Sequence, residues 1–254
     1  MNRVLVIGFN TFRENLREKL LYNLVIFALL IIGSSILLDR LNLGDTSRLI
    51  LDLGLASINI FGVLIAIFIG IGLVSKEIDK KTIYTIISKP VSRHEFLLGK
   101  YLGLSITLFV NTLIMFAGLL LVLLYMNVSI ELLLLKAVFL IFLELMVVTA
   151  VALLFSTFTT PTLSAIFTLA IYVIGHLTGD LKDLGAKLQG GGSLFLTALY
   201  YLMPNLENFN IKGRVIHHLD IAGGELALIL IYGMLYTTLL LLLAGVIFQR
   251  RDFR

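Results

Sequence analysis

The sequence predicts an all-α integral membrane protein with six transmembrane helices. Apolar residues make up 59% of the 254 residues and charged residues only 14%, and the mean hydropathy is +1.02. A water-soluble domain does not have this composition, because its surface needs more charge. Six long apolar runs, at about 1.5 Å of helix per residue, can each cross or nearly cross a hydrocarbon core of about 30 Å. With their connections they use nearly the whole chain, so we expect one transmembrane domain over residues 1–254.

The first segment, residues 1–19, is expected to form an amphipathic helix on the membrane surface. Apolar residues recur there three or four positions apart, with charged residues between them, as in an interfacial helix. They are Leu5, Phe9, Phe12, Leu16 and Leu20. The charged stretch is longer than that of a cleavable signal peptide, and no small-residue cleavage site follows the next apolar run. We therefore expect the segment to be retained.

The six apolar runs also predict the orientation of the chain. They are residues 20–38, 53–74, 101–126, 132–158, 162–178 and 226–248. Six crossings place both termini on the same side of the membrane. Thirteen Lys and Arg residues flank the runs on that side and six on the other. Because positive charge accumulates on the cytoplasmic side, we expect a multi-pass protein of the cytoplasmic (inner) membrane with both termini in the cytoplasm.

The long cytoplasmic connection predicts a helix, a proline turn and a second helix. Pro90 disfavours helical geometry in the residue before it, so a first helix over residues 76–89 ends there. Ser92 and Glu95 have the spacing of a capping box, so the next helix is expected to begin at Arg93. An isoleucine-rich face and a Lys- and Glu-rich face on the first helix suit the docking of a partner. The other interpretation is a solvated loop whose lysines only fix the topology.

The long outer connection, residues 179–224, contains a short apolar helix between three glycines and Pro204. Residues 193–203 are too few to span the membrane, and Phe195, Tyr200 and Tyr201 are of the type that favours the headgroup level. We expect an interfacial or re-entrant helix between the fifth and sixth spans. It either packs on the spans or partly lines a pathway.

The sequence lacks the usual nucleotide-binding signature. Gly99-Lys100 resembles the end of a phosphate-binding loop, but that motif needs a glycine five positions earlier and Ser or Thr after the lysine. His94 and Tyr101 occupy those two positions. We therefore expect no nucleotide site in this chain.

Other chemistry is equally weakly supported. His217, His218 and Asp220 could in principle ligate a metal, yet neighbouring histidines on one loop are more often solvated and no second cluster completes a coordination shell. No metalloprotease motif and no nucleophile with an evident base is present. We expect no catalytic residue, no metal and no cofactor in this chain, and no nucleic-acid partner.

One acidic residue lies deep in a predicted span. Glu144 is about 18 Å along its helix from Leu132, near the midplane, where a charge costs about 2.5 to 3.5 kcal/mol. It must therefore be protonated, hydrogen-bonded to another helix or exposed to water. Asn111, about 15 Å along the third span, is at a similar depth and is the expected partner. The pair is predicted to shape a polar pathway or to join two helices.

Several motifs resemble those of one family, the membrane subunits of bacterial and archaeal type-2 ABC transporters, in particular permeases of multidrug, sodium and copper-processing export systems. They are Glu77 and Thr82, Pro90-Val91-Ser92-Arg93, Phe96, Gly99-Lys100, Phe155-Ser156-Thr157-Phe158 with Pro161, and residues 201–209 before the last span. The resemblance covers essentially the whole chain. One departure is Lys81, where relatives often carry glycine before the threonine.

The resemblance implies a half-transporter that pairs with a second permease, as a homodimer or with a close relative, and with two copies of a separate ATPase. ATP and magnesium would be bound by the ATPase. The helix over 76–89 would be the coupling helix, seated in a groove of the ATPase, and movement would pass through the start of the third span. The implied coupling residues are Glu77, Lys81, Thr82, Tyr84, Pro90, Arg93 and His94.

Export of a solute is the expected function. An alternative within the family is the transmission of force to a periplasmic partner without solute transport. Outside the family, a channel or a scaffold protein is the main alternative. A secondary transporter is disfavoured because Pro90, Pro161 and Pro204 all lie outside the span centres, and a membrane enzyme is disfavoured because the spans contain too few polar residues.

Overall fold

The chain folds into a bundle of α-helices. The computed structural model describes residues 3–39, 46–79, 92–187 and 191–250. Within these ranges there are ten α-helices, one 3-10 helix and no β-strand. The α-helices are α1 (Arg3–Asn15), α2 (Lys19–Asp39), α3 (Thr46–Asp79), α4 (Arg93–Tyr125), α5 (Leu132–Ser156), α6 (Pro161–His176), α7 (Thr178–Lys187), α8 (Gly191–Leu202), α9 (Lys212–Ile216) and α10 (Gly223–Arg250). The 3-10 helix covers Leu206–Phe209.

Five of the described helices are long and apolar enough to cross a membrane: α2, α3, α4, α5 and α10. A sixth crossing results if α6 and α7, which meet at an angle of 65°, are counted as one span. The predicted all-α membrane fold is therefore confirmed. We call the end of the bundle that contains Arg93 and the end of α10 the Arg93 end, and the opposite end, at the turn between α4 and α5, the Asn127 end.

The helix that follows Pro90 begins where its capping box predicts. Ser92 accepts a hydrogen bond from the backbone N–H of Glu95, and the Glu95 carboxylate accepts one from the backbone N–H of Ser92 at 2.8 Å. The structure thus confirms that α4 starts at Arg93. On the other side of the connection, α3 continues to Asp79, so residues 76–79 prolong α3. The remainder of the predicted coupling helix, residues 80–89, lies outside the described residues.

Helices α3 and α5 form the centre of the bundle. In each of them, 72% of the apolar stretch that could cross the membrane is buried, against 11% for α10. The two helices approach closely at small residues: a Cβ atom at Gly62 would lie 2.6 Å from Leu145 Cδ1, and one at Gly70 would lie 3.2 Å from Ala152 Cβ. Small residues allow this close contact between membrane helices. Polar side chains on the facing sides of α3 and α5 are therefore close enough to contact each other.

Helix α1 packs on the first turns of α4 through small and polar residues. A Cβ atom at Gly103 would lie 2.5 Å from the Gly8 carbonyl oxygen, so the two backbones touch. Asn15 Nδ2 donates to Thr107 Oγ1 at 3.1 Å, and Glu14 lies 3.4 Å from the ammonium of Lys100. The predicted apolar face of α1 is not the face that packs on α4. Leu5 and Phe9 remain on the surface of the bundle, as expected of a helix whose apolar side faces lipid.

The connection between α8 and α10 inserts into the bundle from the Asn127 end. We call residues 204–221 the inserted segment, because its apolar side chains are almost completely buried. They are Leu206, Phe209, Ile211, Val215 and Ile221. Pro204 and Leu206 share a small void with Val147 and Val151 of α5, so the segment reaches beyond the middle of that helix. By contrast, the side chains of α8 are largely exposed, with Tyr201 at 79%.

Candidate functional site

A polar cluster joins three helices in the middle of the bundle. The Glu144 side chain, on α5, is fully buried. Asn59 of α3 donates a hydrogen bond from Nδ2 to Glu144 Oε2 at 2.7 Å. Tyr172 of α6 donates from its hydroxyl to Asn59 Oδ1, also at 2.7 Å. The amide of Asn59 therefore links the carboxyl group on α5 to the phenol on α6.

His176 completes this cluster at the last residue of α6. Its Nε2 lies 3.4 Å from Glu144 Oε1, and its Nδ1 lies 3.0 Å from the backbone carbonyl oxygen of Tyr172. The imidazole also packs against the Tyr172 ring, with 4.6 Å between the ring centroids. We call Asn59, Glu144, Tyr172 and His176 the polar cluster. It contains the only charged residue that we predicted at mid-membrane depth.

The predicted pairing of Glu144 with Asn111 is wrong. Asn111 is buried on α4, and its Nδ2 has no hydrogen-bond partner among the residues that the structure describes. Glu144 is paired instead with Asn59, because α5 packs along α3 at Gly62 and Gly70. A signal for Asn59 was present, since it is a polar residue inside an apolar run. Its depth alone could not identify the neighbouring helix.

A lysine of the inserted segment adds positive charge near the cluster. Lys212 is the first residue of α9 and is partly buried. Burial lowers the pKa of Lys212, and the nearby carboxyl groups of Glu144, Asp52 and Glu207 oppose this shift by favouring the charged form. The inserted segment thus contributes both apolar contacts and electrostatic interaction with the core of the bundle.

Two residues of the predicted coupling set, Arg93 and His94, hold the end of α10. Arg93 Nη1 donates hydrogen bonds to the backbone carbonyl oxygens of Phe248 at 2.9 Å and Gln249 at 3.0 Å. A cation at the carboxyl end of a helix also interacts favourably with the helix dipole. Phe96 stacks on Phe248 one turn later, with 6.2 Å between the ring centroids. The first turn of α4 and the last turn of α10 are therefore joined.

His94 contributes to the same junction. Its Nε2 contacts the side-chain amide of Gln249, and a Cβ atom at Gly245 would lie 2.5 Å from its Nδ1. Sequence reasoning singled out Arg93 and His94 but did not find their partners on α10. Of the other predicted coupling residues, Glu77 belongs to the last turns of α3, and Lys81, Thr82, Tyr84 and Pro90 lie outside the described residues.

A third polar region lies at the Asn127 end. A cavity of about 390 Å³ is bordered by Glu207, Asn210, Arg214, Glu225 and Tyr232. Arg214 forms a bidentate pair with Glu225, at 2.6 and 2.8 Å.

Two further side-chain contacts anchor the inserted segment to the start of α5. His218 lies 2.8 Å from Glu131, and Lys136 lies 2.7 Å from Asp220. The predicted metal candidates His218 and Asp220 thus each contact a side chain at the start of α5. In the described part of the chain, no three His, Cys, Asp or Glu side chains are grouped so that they could hold a metal.

Comparison with known proteins agrees with the helical architecture. The family described as ABC-2 family transporter protein matches residues 12–253. No curated protein matches the chain. The family match covers α2 to α10, together with the end of α1. The chain therefore belongs to the ABC-2 transporter family and is a multi-pass membrane permease subunit of an ABC transporter.

Proposed function

We propose that this permease is half of an ATP-driven exporter of the cytoplasmic membrane. In this proposal it pairs with a second permease, as a homodimer, and each copy docks on one ATPase subunit that supplies ATP and magnesium. The Arg93 end faces the cytoplasm, as do both termini. The excess of Lys and Arg on that side supports this orientation.

The observation that carries the proposal is the junction of α4 with α10 at Arg93. The predicted coupling segment, residues 76–89, precedes the first turn of α4 in the sequence. That turn is hydrogen-bonded to Phe248 and Gln249, and α1 packs on the following turns at Gly99 and Gly103. A displacement of the coupling helix is therefore passed to α1, α4 and α10 together.

The coupling residues have separate tasks in this mechanism. Glu77, Lys81, Thr82 and Tyr84 contact the ATPase groove. Pro90 ends the coupling helix and fixes the direction of the chain before α4. Arg93 and His94 then transmit the movement to α10 through the contacts described above.

The polar cluster lies on three other helices, and it is rearranged where the movement of α4 and α10 changes their packing on α5. Glu144 connects α5 to α3 and α6, so a change in the angle of any of these helices alters its hydrogen bonds. In the proposal, Glu144 and the buried Asn111 line or border the pathway between the two permeases. The chemical nature of the exported solute is left open.

The first experiment is the isolation of the complex. The chain is expressed with the genes that flank its own, purified through a carboxyl-terminal tag in mild detergent, and the co-purifying proteins are identified by mass. We expect one ATPase per permease. A permease that is folded but isolated would contradict the proposal and would favour a channel or a scaffold protein.

A double substitution tests the coupling route. Glu77→Ala with Arg93→Ala is expected to release the ATPase or to uncouple ATP hydrolysis, while insertion into the membrane is unchanged. Arg17→Ala is the matched control, because Arg17 is an exposed arginine between α1 and α2. Normal coupled hydrolysis in the double variant would refute the assignment of this segment.

The same complex distinguishes export from force transmission. A third protein that co-purifies through the Asn127 end, together with ATP hydrolysis that moves no solute in vesicles, would favour force transmission to a periplasmic partner. Accumulation of a solute inside inverted vesicles on addition of ATP would favour export.

A further inference from the structure

The hydrogen-bond geometry of His176 determines where its ring hydrogen must lie. The Tyr172 carbonyl oxygen can only accept a hydrogen bond, so His176 Nδ1, 3.0 Å away, must carry a hydrogen. A neutral imidazole has only one N–H group. Its Nε2 then presents a lone pair to Glu144 Oε1, 3.4 Å away.

Glu144 Oε1 also needs a hydrogen between itself and His176 Nε2. Oε2 accepts from Asn59, whereas Oε1 makes no hydrogen bond to any residue in the described ranges, although it is completely buried. A bare carboxylate oxygen facing a nitrogen lone pair in a buried site is strongly unfavourable. One hydrogen between Oε1 and Nε2 removes this conflict.

Two arrangements of that hydrogen satisfy every group. It can lie on Oε1, giving a neutral acid that donates to a neutral imidazole, or on Nε2, giving a carboxylate beside an imidazolium. Both contain the same number of protons. If the proton is lost, the remaining imidazole hydrogen can serve Glu144 or the Tyr172 carbonyl, but not both.

We propose that Glu144 and His176 together form a binding site for a single proton between α5 and the last residue of α6. This inference does not depend on the direction of transport or on the identity of the exported solute. The ligand is the proton itself.

The surroundings of the pair are mostly neutral. Asn59 from α3 and the Tyr172 hydroxyl from α6 are uncharged hydrogen-bonding groups. The nearby charged groups are Lys212 and Glu207 on the inserted segment and Asp52 on α3. Lys212 favours the arrangement with a carboxylate, and Glu207 and Asp52 reduce that effect.

The site lies at a bend. The His176 side chain is 22% exposed and that of Glu144 is 0% exposed, so the imidazole is the less enclosed of the two groups. Helix α6 ends at His176, and α7 leaves at an angle of 65°. The bound proton therefore links His176, at the end of α6, to Glu144 on α5. After its release, the imidazole can no longer donate to both Glu144 and the Tyr172 carbonyl oxygen, so one of these two contacts is lost.

Nitrogen NMR of the histidine rings tests the inference directly. The full chain is labelled with ¹⁵N-histidine in detergent or nanodiscs, and the His176 signals are identified by their loss in His176→Gln. We expect Nδ1 to be protonated throughout and Nε2 to lose its hydrogen bond to Glu144 in a single titration step. A bare Nδ1 at every pH would overturn the proposal.

The variant Glu144→Gln supplies the matched comparison. A glutamine amide can donate to Nε2 permanently, so the hydrogen is supplied without a bound proton. We expect the Nε2 titration to disappear or to shift by more than one pH unit. An unchanged titration in Glu144→Gln would show that Glu144 takes no part. His217→Gln, which alters an exposed histidine, should leave the His176 signals unchanged.

Thermal unfolding gives a second measurement. Above about pH 6.5, an unfolded chain has an ionised glutamate and a neutral histidine, whereas the folded pair still holds its proton. The unfolding equilibrium constant should then rise about tenfold per pH unit until the folded protein also releases the proton. We expect this slope to be lower by one proton in Glu144→Gln. The NMR measurement on the unaltered chain decides the question even if the variant does not fold.

Discussion

Backbone packing is more prominent at one end of the bundle, and exposed ion pairs are more prominent at the other. At the Arg93 end, α1 and α4 touch through their backbones at Gly8 and Gly103. At the Asn127 end, the inserted segment is held to α5 and α10 by side-chain ion pairs such as Lys136–Asp220 and Arg214–Glu225. Close packing is insensitive to salt and pH, whereas exposed ion pairs are not. The Arg93 end is therefore expected to move as one unit, and the Asn127 end to respond to solution conditions.

The largest effect is expected at the contact between α1 and α4. In Gly103→Ala, the added Cβ atom would lie 2.5 Å from the Gly8 carbonyl oxygen, so α1 must shift. We expect the free energy of unfolding to fall by about 1 to 3 kcal/mol, as measured by denaturation in detergent.

A helical glycine with open space provides the control for this substitution. No atom lies within 4 Å of a Cβ atom at Gly33 of α2, so Gly33→Ala should be neutral or stabilising by up to about 1 kcal/mol through helix propensity. Equal effects of the two substitutions would contradict the backbone contact at the Arg93 end.

An effect of up to similar size is expected from one of two buried asparagines in the middle of the bundle. Asn59→Leu removes the donor to Glu144 and the acceptor for Tyr172, and should lower the free energy of unfolding by about 1 to 3 kcal/mol. Asn111→Leu removes an amide whose nitrogen makes no hydrogen bond within the described residues, and should be neutral or stabilising. If Asn111→Leu lowered the free energy of unfolding more than Asn59→Leu, the predicted pairing of Asn111 with Glu144 would be supported instead.

The smallest effect concerns the ion pairs at the Asn127 end. The Lys136 ammonium, which donates a hydrogen bond to Asp220, holds the pKa of that carboxyl below its usual value of 3.8. The pair therefore contributes stability above that pH, and the contribution is lost as the pH falls through the lower value in the folded protein.

Acid unfolding of Asp220→Asn measures this contribution. The variant should lose part of the acid dependence of the unfolding midpoint, and added salt should reduce the difference from the unaltered chain. Asp180→Asn, on α7, is a matched exposed control. Identical acid profiles for the unaltered chain and Asp220→Asn would show that the ion pair does not hold the inserted segment.

The parts of the fold that were predicted from sequence depend on local patterns. Ser92 and Glu95 lie three positions apart, and their capping box needs no information from the rest of the chain. The spans are evident because about 20 apolar residues are required to cross a membrane. The ends of α3 were less evident, since it begins at Thr46 and includes Arg48 and Asp52 before its apolar run.

The parts that were not predicted depend on contacts between distant segments. Asn59 and Glu144 are 85 positions apart, and only the packing of α3 on α5 brings them together. The inserted segment has short, irregular helices without a clear period, so its burial could not be inferred from a hydrophobic pattern. The junction of Arg93 with α10 likewise joins residues more than 150 positions apart.

The length of α6 has a consequence for the surrounding lipid. Its 16 residues span only about 24 Å, against a hydrocarbon thickness of about 30 Å. A bilayer beside a helix that is too short must become thinner or be replaced there by other protein, at a cost of fractions of a kcal/mol per ångström. Here the inserted segment supplies that protein, because Pro204 and Leu206 lie against Gly175 at the end of α6, so the bilayer beside α6 needs less thinning.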